Sequence, residues 1–245
     1  LLGLKQPLKL AEFKPALAIN PEILARYEAN RLRVVRQVRY SLQNENSIDL
    51  VLFLNGLPVA TAELKTDFTQ SIGDAIDQYR FDRLPKPKGQ AAEPLLSFPN
   101  GALVHFAVSN REVAMVTKLD GAGTVFLPFN QGDAGGAGNP VNRGVGSADF
   151  ADGRRWGTAG ETEDGVVGLV GMGAGKSGAM GGHRTAYLWE RVWERESWLE
   201  ILGRYLIAQR DQKKQLVRVI FPRFHQLDVT RALQRAVLAD GPGGK

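Results

Sequence analysis

The sequence has no cysteine among its 245 residues. This absence excludes disulfide bonds, thiolate zinc sites and a cysteine nucleophile, and it fits a reducing compartment such as the cytoplasm. No apolar run reaches the roughly 18 residues that a membrane-spanning helix needs, and no signal peptide opens the chain. We therefore expect a cytoplasmic protein that has no membrane partner.

The charge balance is basic. Lys and Arg number 31 against 26 Asp and Glu, a net charge of +5 at pH 7. Such an excess favours a polyanionic partner. With 43% hydrophobic and 23% charged residues, the composition is typical of a globular chain with a core. The chain begins Leu-Leu-Gly without Met, and we expect it to be a fragment of something longer.

The most informative stretch is SIDLVLFLNGLPVATAELK (47–65). Two apolar runs flank the Asn55–Gly56 dipeptide, a strong signal for a β-hairpin. Three charges interrupt these runs: Asp49, Glu63 and Lys65. Because a bare charge in a buried strand costs several kcal/mol unless it is paired or holds a metal, the pattern predicts a site.

The residue types suggest the chemistry of that site. Two carboxylates on adjacent strands suit a magnesium ion that keeps several waters, so Asp49 and Glu63 are predicted metal ligands. Lys65 lies on the same strand face as Glu63 and could orient or deprotonate a water that attacks phosphorus. The alternative is an ordinary hairpin in which Asp49 only caps the strand and the Glu63-Leu64-Lys65 end is exposed to solvent.

The strand register makes this prediction testable. A two-residue turn pairs residue i with 111 − i and points Asp49 away from Glu63, whereas a bulge or a longer turn pairs i with 112 − i and sets them opposite. A one-residue slip moves every side chain to the other face, and bulges are common beside active sites. We expect the second register, or a bulge near Leu57–Pro58.

The rest of the chain predicts strands and helices in alternation, and hence an α/β layered domain over the first 130 residues, followed by a separate, helical C-terminal part. The predicted helices are Pro21–Asn30, Ser71–Arg83, 185–209 and Arg223–Leu238, and the predicted strands are Leu32–Ser41, Ala102–Val108, Val113–Lys118, Val125–Phe129 and Leu216–Ile220.

One segment differs in composition. Seventeen of the 51 residues from 132 to 182 are Gly, which indicates a mobile surface insertion or linker. Its Gly-Ala-Gly-Lys-Ser run (173–177) is similar to a phosphate-binding loop, but the full pattern needs Gly where Val170 stands. A nucleotide-binding protein that uses Lys176 is an alternative hypothesis.

Seven short segments, in this order, resemble the restriction (R) subunit of type I restriction–modification enzymes. They are NRLRVVRQVRYS (30–41), SIDLVLFLNGLPVATAELK (47–65), DAIDQYRFDR (74–83), LVHFAVSN (103–110), FLPFN (126–130), TAYLWE (185–190) and FPRFHQLD (221–228). The resemblance implies a restriction-endonuclease-like PD-(D/E)xK nuclease domain over 1–131, with a mixed sheet flanked by helices. A Gly-rich insertion over 132–184 and a helical segment over 185–245, which leads into a truncated superfamily 2 motor, would follow.

The resemblance also implies magnesium-dependent cleavage of double-stranded DNA by a type I site-specific deoxyribonuclease. Methylation (M) and specificity (S) subunits would be its partners. Asp49, Glu63 and Lys65 match the family's catalytic triad, and Gln78 matches the start of its Gln-x-x-x-Tyr helix motif. The fifth motif position is Asp82, so the motif's aromatic is absent unless a neighbouring Tyr79 or Phe81 takes its place.

The resemblance extends to the entry of the motor. Gln226 matches the residue that would bind adenine, so ATP is implied for the full-length protein only, and ATP hydrolysis is not expected from these residues alone. A catalytically inert, basic DNA-binding or subunit-docking module is the second hypothesis for the whole chain. Candidate DNA contacts are Arg36, Arg39, Arg80, Lys86 and Lys88, and Glu28 is a candidate further acidic ligand.

Overall fold

The computed structural model describes residues 9–15, 19–66, 68, 70–132 and 183–241. The predicted Gly-rich insertion, with Lys176 and its phosphate-loop-like motif, lies almost entirely outside these residues. None of the helices in the described ranges is long and apolar enough to cross a membrane.

The described elements alternate as the sequence predicts. The helices are α1 (Pro21–Glu28), α2 (Ile72–Asp77), α3 (Arg195–Glu200) and α4 (Phe224–Asp240), with π-helical turns at Gln78–Asp82, Leu188–Val192 and Ile201–Tyr205. The strands are β1 (Leu32–Arg39), β2 (Ser47–Leu54), β3 (Leu57–Leu64), β4 (Val104–Val108), β5 (Val113–Val116), β6 (Leu127–Pro128), β7 (Ile207–Arg210) and β8 (Leu216–Ile220).

Local chemistry explains where α1 begins. The Asn20 side chain accepts hydrogen bonds from the backbone N–H groups of Glu22 and Ile23, and Pro21 occupies the first helical position. This is the capping arrangement that the sequence predicts. The predicted helix 185–209 is wrong at its end, because β7 begins at Ile207 and pairs with β8.

A six-stranded mixed sheet, in the order β1-β2-β3-β4-β5-β6, forms the centre of the fold. Strands β3 and β4 are parallel, and the other neighbours are antiparallel. A parallel pair needs a crossover connection, and the chain between β3 and β4 supplies one that carries α2. The predicted α/β class, with a mixed sheet flanked by helices, is confirmed.

The hairpin of β2 and β3 contains a bulge. Near the turn Phe53 pairs with Pro58, but Leu52 pairs with Ala60, so Val59 is an extra residue on β3. The register therefore changes from i with 111 − i to i with 112 − i, as predicted. From Ala60 onward, the residues of β3 pair in the longer register, so Thr61 and Glu63 lie on the same face of the sheet as Val51 and Asp49.

The larger hydrophobic core lies on one face of the sheet and includes the C-terminal segment. The ring of Phe106 on β4 lies 5.5 Å from Trp193, 5.9 Å from Phe221 and 6.5 Å from Trp198, measured between ring centroids. This shared core corrects the expectation of a separate C-terminal part. The aromatic side chains of that segment need an apolar surface to cover, and this face of the sheet provides one.

A smaller core lies on the opposite face, beneath α2. Tyr79 and Val51 are fully buried there. The Thr61 hydroxyl lies 2.8 Å from the Tyr79 hydroxyl and 2.7 Å from Nδ1 of His105. Since side chains alternate along a strand, Glu63 lies on the same face of β3 as Thr61. This face carries the predicted site.

Candidate metal site

Asp49 lies opposite Glu63. The last pair of the β2–β3 ladder is Leu50 with Ala62, and the same register continued by one residue aligns the two carboxylates. Asp49 is half-buried. Its Oδ2 accepts a hydrogen bond of 2.8 Å from the backbone N–H of Leu64, and its Oδ1 accepts one of 2.9 Å from Nε2 of Gln37. The carboxylate is therefore anchored from both neighbouring strands.

Glu63 is fully buried, and only one of its two carboxylate oxygens accepts a hydrogen bond. Its Oε1 accepts a hydrogen bond of 2.9 Å from Nε of Arg83, whereas its Oε2 has no partner among the described residues. Burial and, after it, the neighbouring Asp49 carboxylate raise the pKa of Glu63 to about 8, although Arg83 opposes both effects. Both the unpaired oxygen and the raised pKa indicate a site that favours a proton or a cation between the carboxylates.

Lys65 follows β3 directly. Its backbone N–H donates to the carbonyl of Val108 at 2.8 Å, so the parallel ladder continues past Leu64 and the Lys65 side chain lies on the Glu63 face. Within the described ranges its ammonium makes no ion pair. It contributes to a lowered pKa of Asp74, whose main cause is hydrogen bonds from Ser71. The catalytic role of Lys65 stays a prediction.

Gln78 lies where α2 becomes a π-helical turn. The backbone N–H of Arg83 donates to the carbonyl of Gln78 at 2.9 Å, a spacing of five residues. Such turns are rare and are frequent at functional sites. The side-chain Oε1 of Gln78 is buried and has no partner among the described residues. Its catalytic role stays a prediction.

The two aromatics beside Gln78 differ in position. Tyr79 is fully buried in the smaller core, whereas Phe81 is 59% exposed. Neither occupies the fifth motif position, which Asp82 holds at the surface. Arg83, at the end of the π-helical turn, instead contacts Glu63. Sequence reasoning missed Arg83, although it continues by one turn the helical face on which Tyr79 lies.

Beneath the site, His105 is buried in a polar network with Thr61 and Tyr79. Desolvation lowers the pKa of His105 to about 3. The imidazole is therefore neutral at physiological pH, and its contacts make it part of the core that supports β3. It does not reach the surface, being 1% exposed.

The chemistry of this donor set fits magnesium. Asp49 and Glu63 supply hard carboxylate oxygens, and one of these, Glu63 Oε2, has no other partner in the described structure. Among the residues described, no group of three or more His, Cys, Asp or Glu could hold a metal. The remaining ligands would therefore be waters and substrate oxygens, the arrangement that magnesium commonly adopts.

Residues 23–124 match the family described as type I restriction enzyme R protein N terminus. The match supports an N-terminal domain of that restriction-enzyme family over these residues. The matched residues include Asp49, Glu63, Lys65 and Gln78. Neither the curated proteins nor the solved structures gave a match.

The five candidate DNA contacts of this R-protein N-terminal domain differ in their environment. Arg39 forms an ion pair with Glu45, and Arg80 donates to the carbonyl of Thr124 at 3.0 Å. The other three candidates, Arg36, Lys86 and Lys88, are exposed and make no ion pair with the described residues.

Two further candidate residues lie away from the carboxylate pair. The side chain of Glu28 lies 3.8 Å from Arg195 of the C-terminal segment, so the structure does not support it as a third acidic ligand. Gln226 lies in the first turn of α4, where its Oε1 accepts a hydrogen bond of 3.0 Å from the backbone N–H of Arg223. Its contact with adenine stays a prediction.

Proposed function

We propose that this R-protein N-terminal domain is a magnesium-dependent endonuclease that hydrolyses phosphodiester bonds of double-stranded DNA. The observation that carries the proposal is the bulge at Val59, which sets Asp49 opposite Glu63. The unpartnered oxygen of Glu63 faces a second carboxylate, with Lys65 two residues along the same face. The family match over this segment supports a restriction enzyme.

Asp49 and Glu63 would hold the magnesium ion. When bound, the ion supplies Lewis acidity and lowers the pKa of a coordinated water. Arg83 holds Oε1 of Glu63 and so fixes the direction of its free oxygen. The hydrogen bonds from Leu64 and Gln37 do the same for Asp49.

Lys65 would act on the attacking water and on the scissile phosphate. An ammonium offers three hydrogen-bond donors and a compact positive charge. It can orient the water in line with the leaving oxygen and offset the negative charge that develops at phosphorus. The ammonium of Lys65 forms no ion pair with the described residues, and its interaction with Asp74 is only a minor cause of the lowered pKa of that carboxyl.

The R-subunit family suggests a division of labour. Methylation (M) and specificity (S) subunits would recognise the DNA sequence and its methylation. In a longer chain, a motor domain with ATP at Gln226 would supply translocation. The domain's own contribution would be cleavage.

The test is cleavage of supercoiled plasmid by wild type, Lys65→Ala and Asp49→Asn, with and without magnesium. We expect magnesium-dependent cutting by wild type and a loss of at least about 100-fold in both variants, as for the removal of a group that stabilises the transition state. Lys213→Ala removes an exposed lysine of the β7–β8 turn and should cleave like wild type. Equal cleavage by Lys65→Ala and wild type would contradict the assignment.

A second function has one observation in its favour. The buried ion pair between Glu63 and Arg83 also fits a structural role, and with it a catalytically inert DNA-binding or subunit-docking module. That module would bind DNA in a salt-sensitive manner, and Asp49→Ala would not alter the binding. Magnesium binding that depends on Asp49 and Glu63 would exclude it.

A further inference from the structure

Gln37 has an unusual backbone conformation for a strand residue. Its φ is +50°, in the left-handed region, which non-glycine residues rarely adopt. The other non-glycine residues with positive φ in the described part of the chain are Asn55 and Lys214. Asn55 is in the β2–β3 turn and Lys214 in the β7–β8 turn, where such angles are expected. Gln37 lies inside β1, and no turn accounts for its conformation.

The side chain of Gln37 bridges to β2. Its Nε2 donates to Oδ1 of Asp49 at 2.9 Å, and its Oε1 accepts from the hydroxyl of Ser47 at 3.0 Å. Gln37 lies opposite Asp49, between the pairs Arg36–Leu50 and Val38–Ile48. The Ser47 bond fixes which end of the amide faces the carboxylate.

Asp49 is thereby held by one donor on each oxygen, since the backbone N–H of Leu64 occupies Oδ2 at 2.8 Å. Two donors from opposite sides fix the plane of a carboxylate and leave a lone pair on each oxygen. Groups that orient metal ligands in this way commonly change metal affinity when they are removed.

We propose that Gln37 is a positioning residue that holds the Asp49 carboxylate in the orientation required for a divalent cation. The inference rests on the proposed magnesium site. It explains why an exposed strand residue keeps a disfavoured backbone angle: strain of this kind persists where the surrounding contacts impose it, often at functional sites.

The variant Gln37→Gly distinguishes a role in orienting the Asp49 carboxylate from a role in stabilising the fold. Glycine adopts positive φ without a steric penalty, so the variant should keep or raise the wild-type melting temperature. It lacks the amide, and its magnesium affinity should fall on the order of 10- to 100-fold. If Gln37 served the fold alone, affinity would stay constant or would fall together with the melting temperature.

Two further variants sharpen the test. Gln37→Asn keeps an amide and tolerates the left-handed region, but it is one methylene shorter, so we expect it to lose affinity as Gly does. Ser47→Ala removes the bond to Oε1 and leaves the bond to Asp49 in place, so a smaller loss is expected.

The measurements are calorimetric titration with magnesium chloride alone, the melting temperature of the same samples, and the magnesium dependence of plasmid cleavage. We expect a higher half-saturating magnesium concentration in Gln37→Gly and a rate close to that of wild type at saturation. Wild-type affinity in Gln37→Gly, or a parallel fall in affinity and melting temperature, would overturn the inference and leave the proposed function standing. A wild-type protein that binds no magnesium, with Asp49→Asn indistinguishable from it, would overturn both.

Discussion

Replacing Glu63 with Gln should stabilise the metal-free protein in a manner that depends on pH. Glu63 is fully buried beside a second carboxylate. In the ionised form the side chain loses its hydration, and Arg83 satisfies only one of its oxygens. Glutamine has nearly the same shape and stays neutral, so it removes the cost of ionisation and keeps an acceptor for Arg83.

The sign follows from the pKa of the folded state. The pKa of Glu63 rises from 4.5 to about 8 on folding, so the folded protein binds more protons between these values, and stability falls as pH rises through that window. At about 1.36 kcal/mol per pKa unit, the wild type loses roughly 5 kcal/mol in total, of which roughly 3 kcal/mol is lost by pH 7. The Glu63→Gln variant lacks this loss.

Urea unfolding without magnesium, followed by tryptophan fluorescence at pH 5, 7 and 9, measures the effect. The advantage of Glu63→Gln over wild type should grow by roughly 4 kcal/mol from pH 5 to pH 9. Saturating magnesium at pH 8 provides an internal control, because it should stabilise the wild type and not the variant. A difference between the two proteins that is constant with pH would refute the argument.

Three further predictions concern the elements that support the site. Deleting Val59 removes the unpaired residue of the bulge and leaves Leu52 opposite Ala60, so Asp49 stays opposite Glu63 and calorimetry should still detect magnesium binding. His105→Gln should remove a loss of stability that the wild type shows in acid. Because burial lowers the pKa of His105 to about 3, the unfolded chain binds a proton more readily than the folded protein between about pH 6.5 and pH 3. The free energy of unfolding of the wild type, measured in urea, should therefore fall by roughly 3 kcal/mol from above pH 6.5 to pH 4. Phe106→Ala should cost about 4 kcal/mol and, through Trp198, reduce the near-ultraviolet circular dichroism of the C-terminal segment.

Each of these three has an outcome that would contradict it. Loss of magnesium binding on deletion of Val59 would show that the alignment of Asp49 with Glu63 is not sufficient to assemble the site. A His105→Gln protein that loses as much stability as wild type between pH 7 and pH 4 would assign the acid sensitivity to other groups. An unchanged near-ultraviolet spectrum in Phe106→Ala would contradict the shared core.

The hairpin and its register could be predicted because each depends on local rules. The Asn55–Gly56 dipeptide specifies a tight turn, and the alternation of side chains then allows two registers. Only one of them brings Asp49 and Glu63 together, and it requires an extra residue on one strand. The sequence could limit the bulge to the neighbourhood of Leu57–Pro58, and the structure locates it at Val59.

Other features depend on tertiary contacts that a sequence pattern does not contain. Ile207–Arg210 continues a helical pattern, yet it forms a strand because β8 is available to pair with it. The ion pair between Arg83 and Glu63 forms where the π-helical turn ends, and the sequence pattern gives no sign of that turn or of the ion pair. Gln37 lies in an apolar-polar strand pattern, and nothing in that pattern indicates a left-handed backbone.

Several unfavourable features of the described structure are located around one point. Among the described residues, buried side-chain oxygens without a partner occur at Glu63, on Gln78 of the neighbouring helix and on Tyr205, and the other such atoms are nitrogens of two tryptophan side chains. The free oxygens of Glu63 and Gln78 are acceptors, as cation ligands must be. The positive φ of Gln37 is the third such feature, and it is in contact with Asp49. Stability alone would favour the removal of all three, because an apolar or neutral replacement avoids each cost. For Glu63 and Gln37, which both lie beside Asp49, a ligand that satisfies the free oxygen of Glu63 would account for the cost, and a hydrated magnesium ion would meet that requirement.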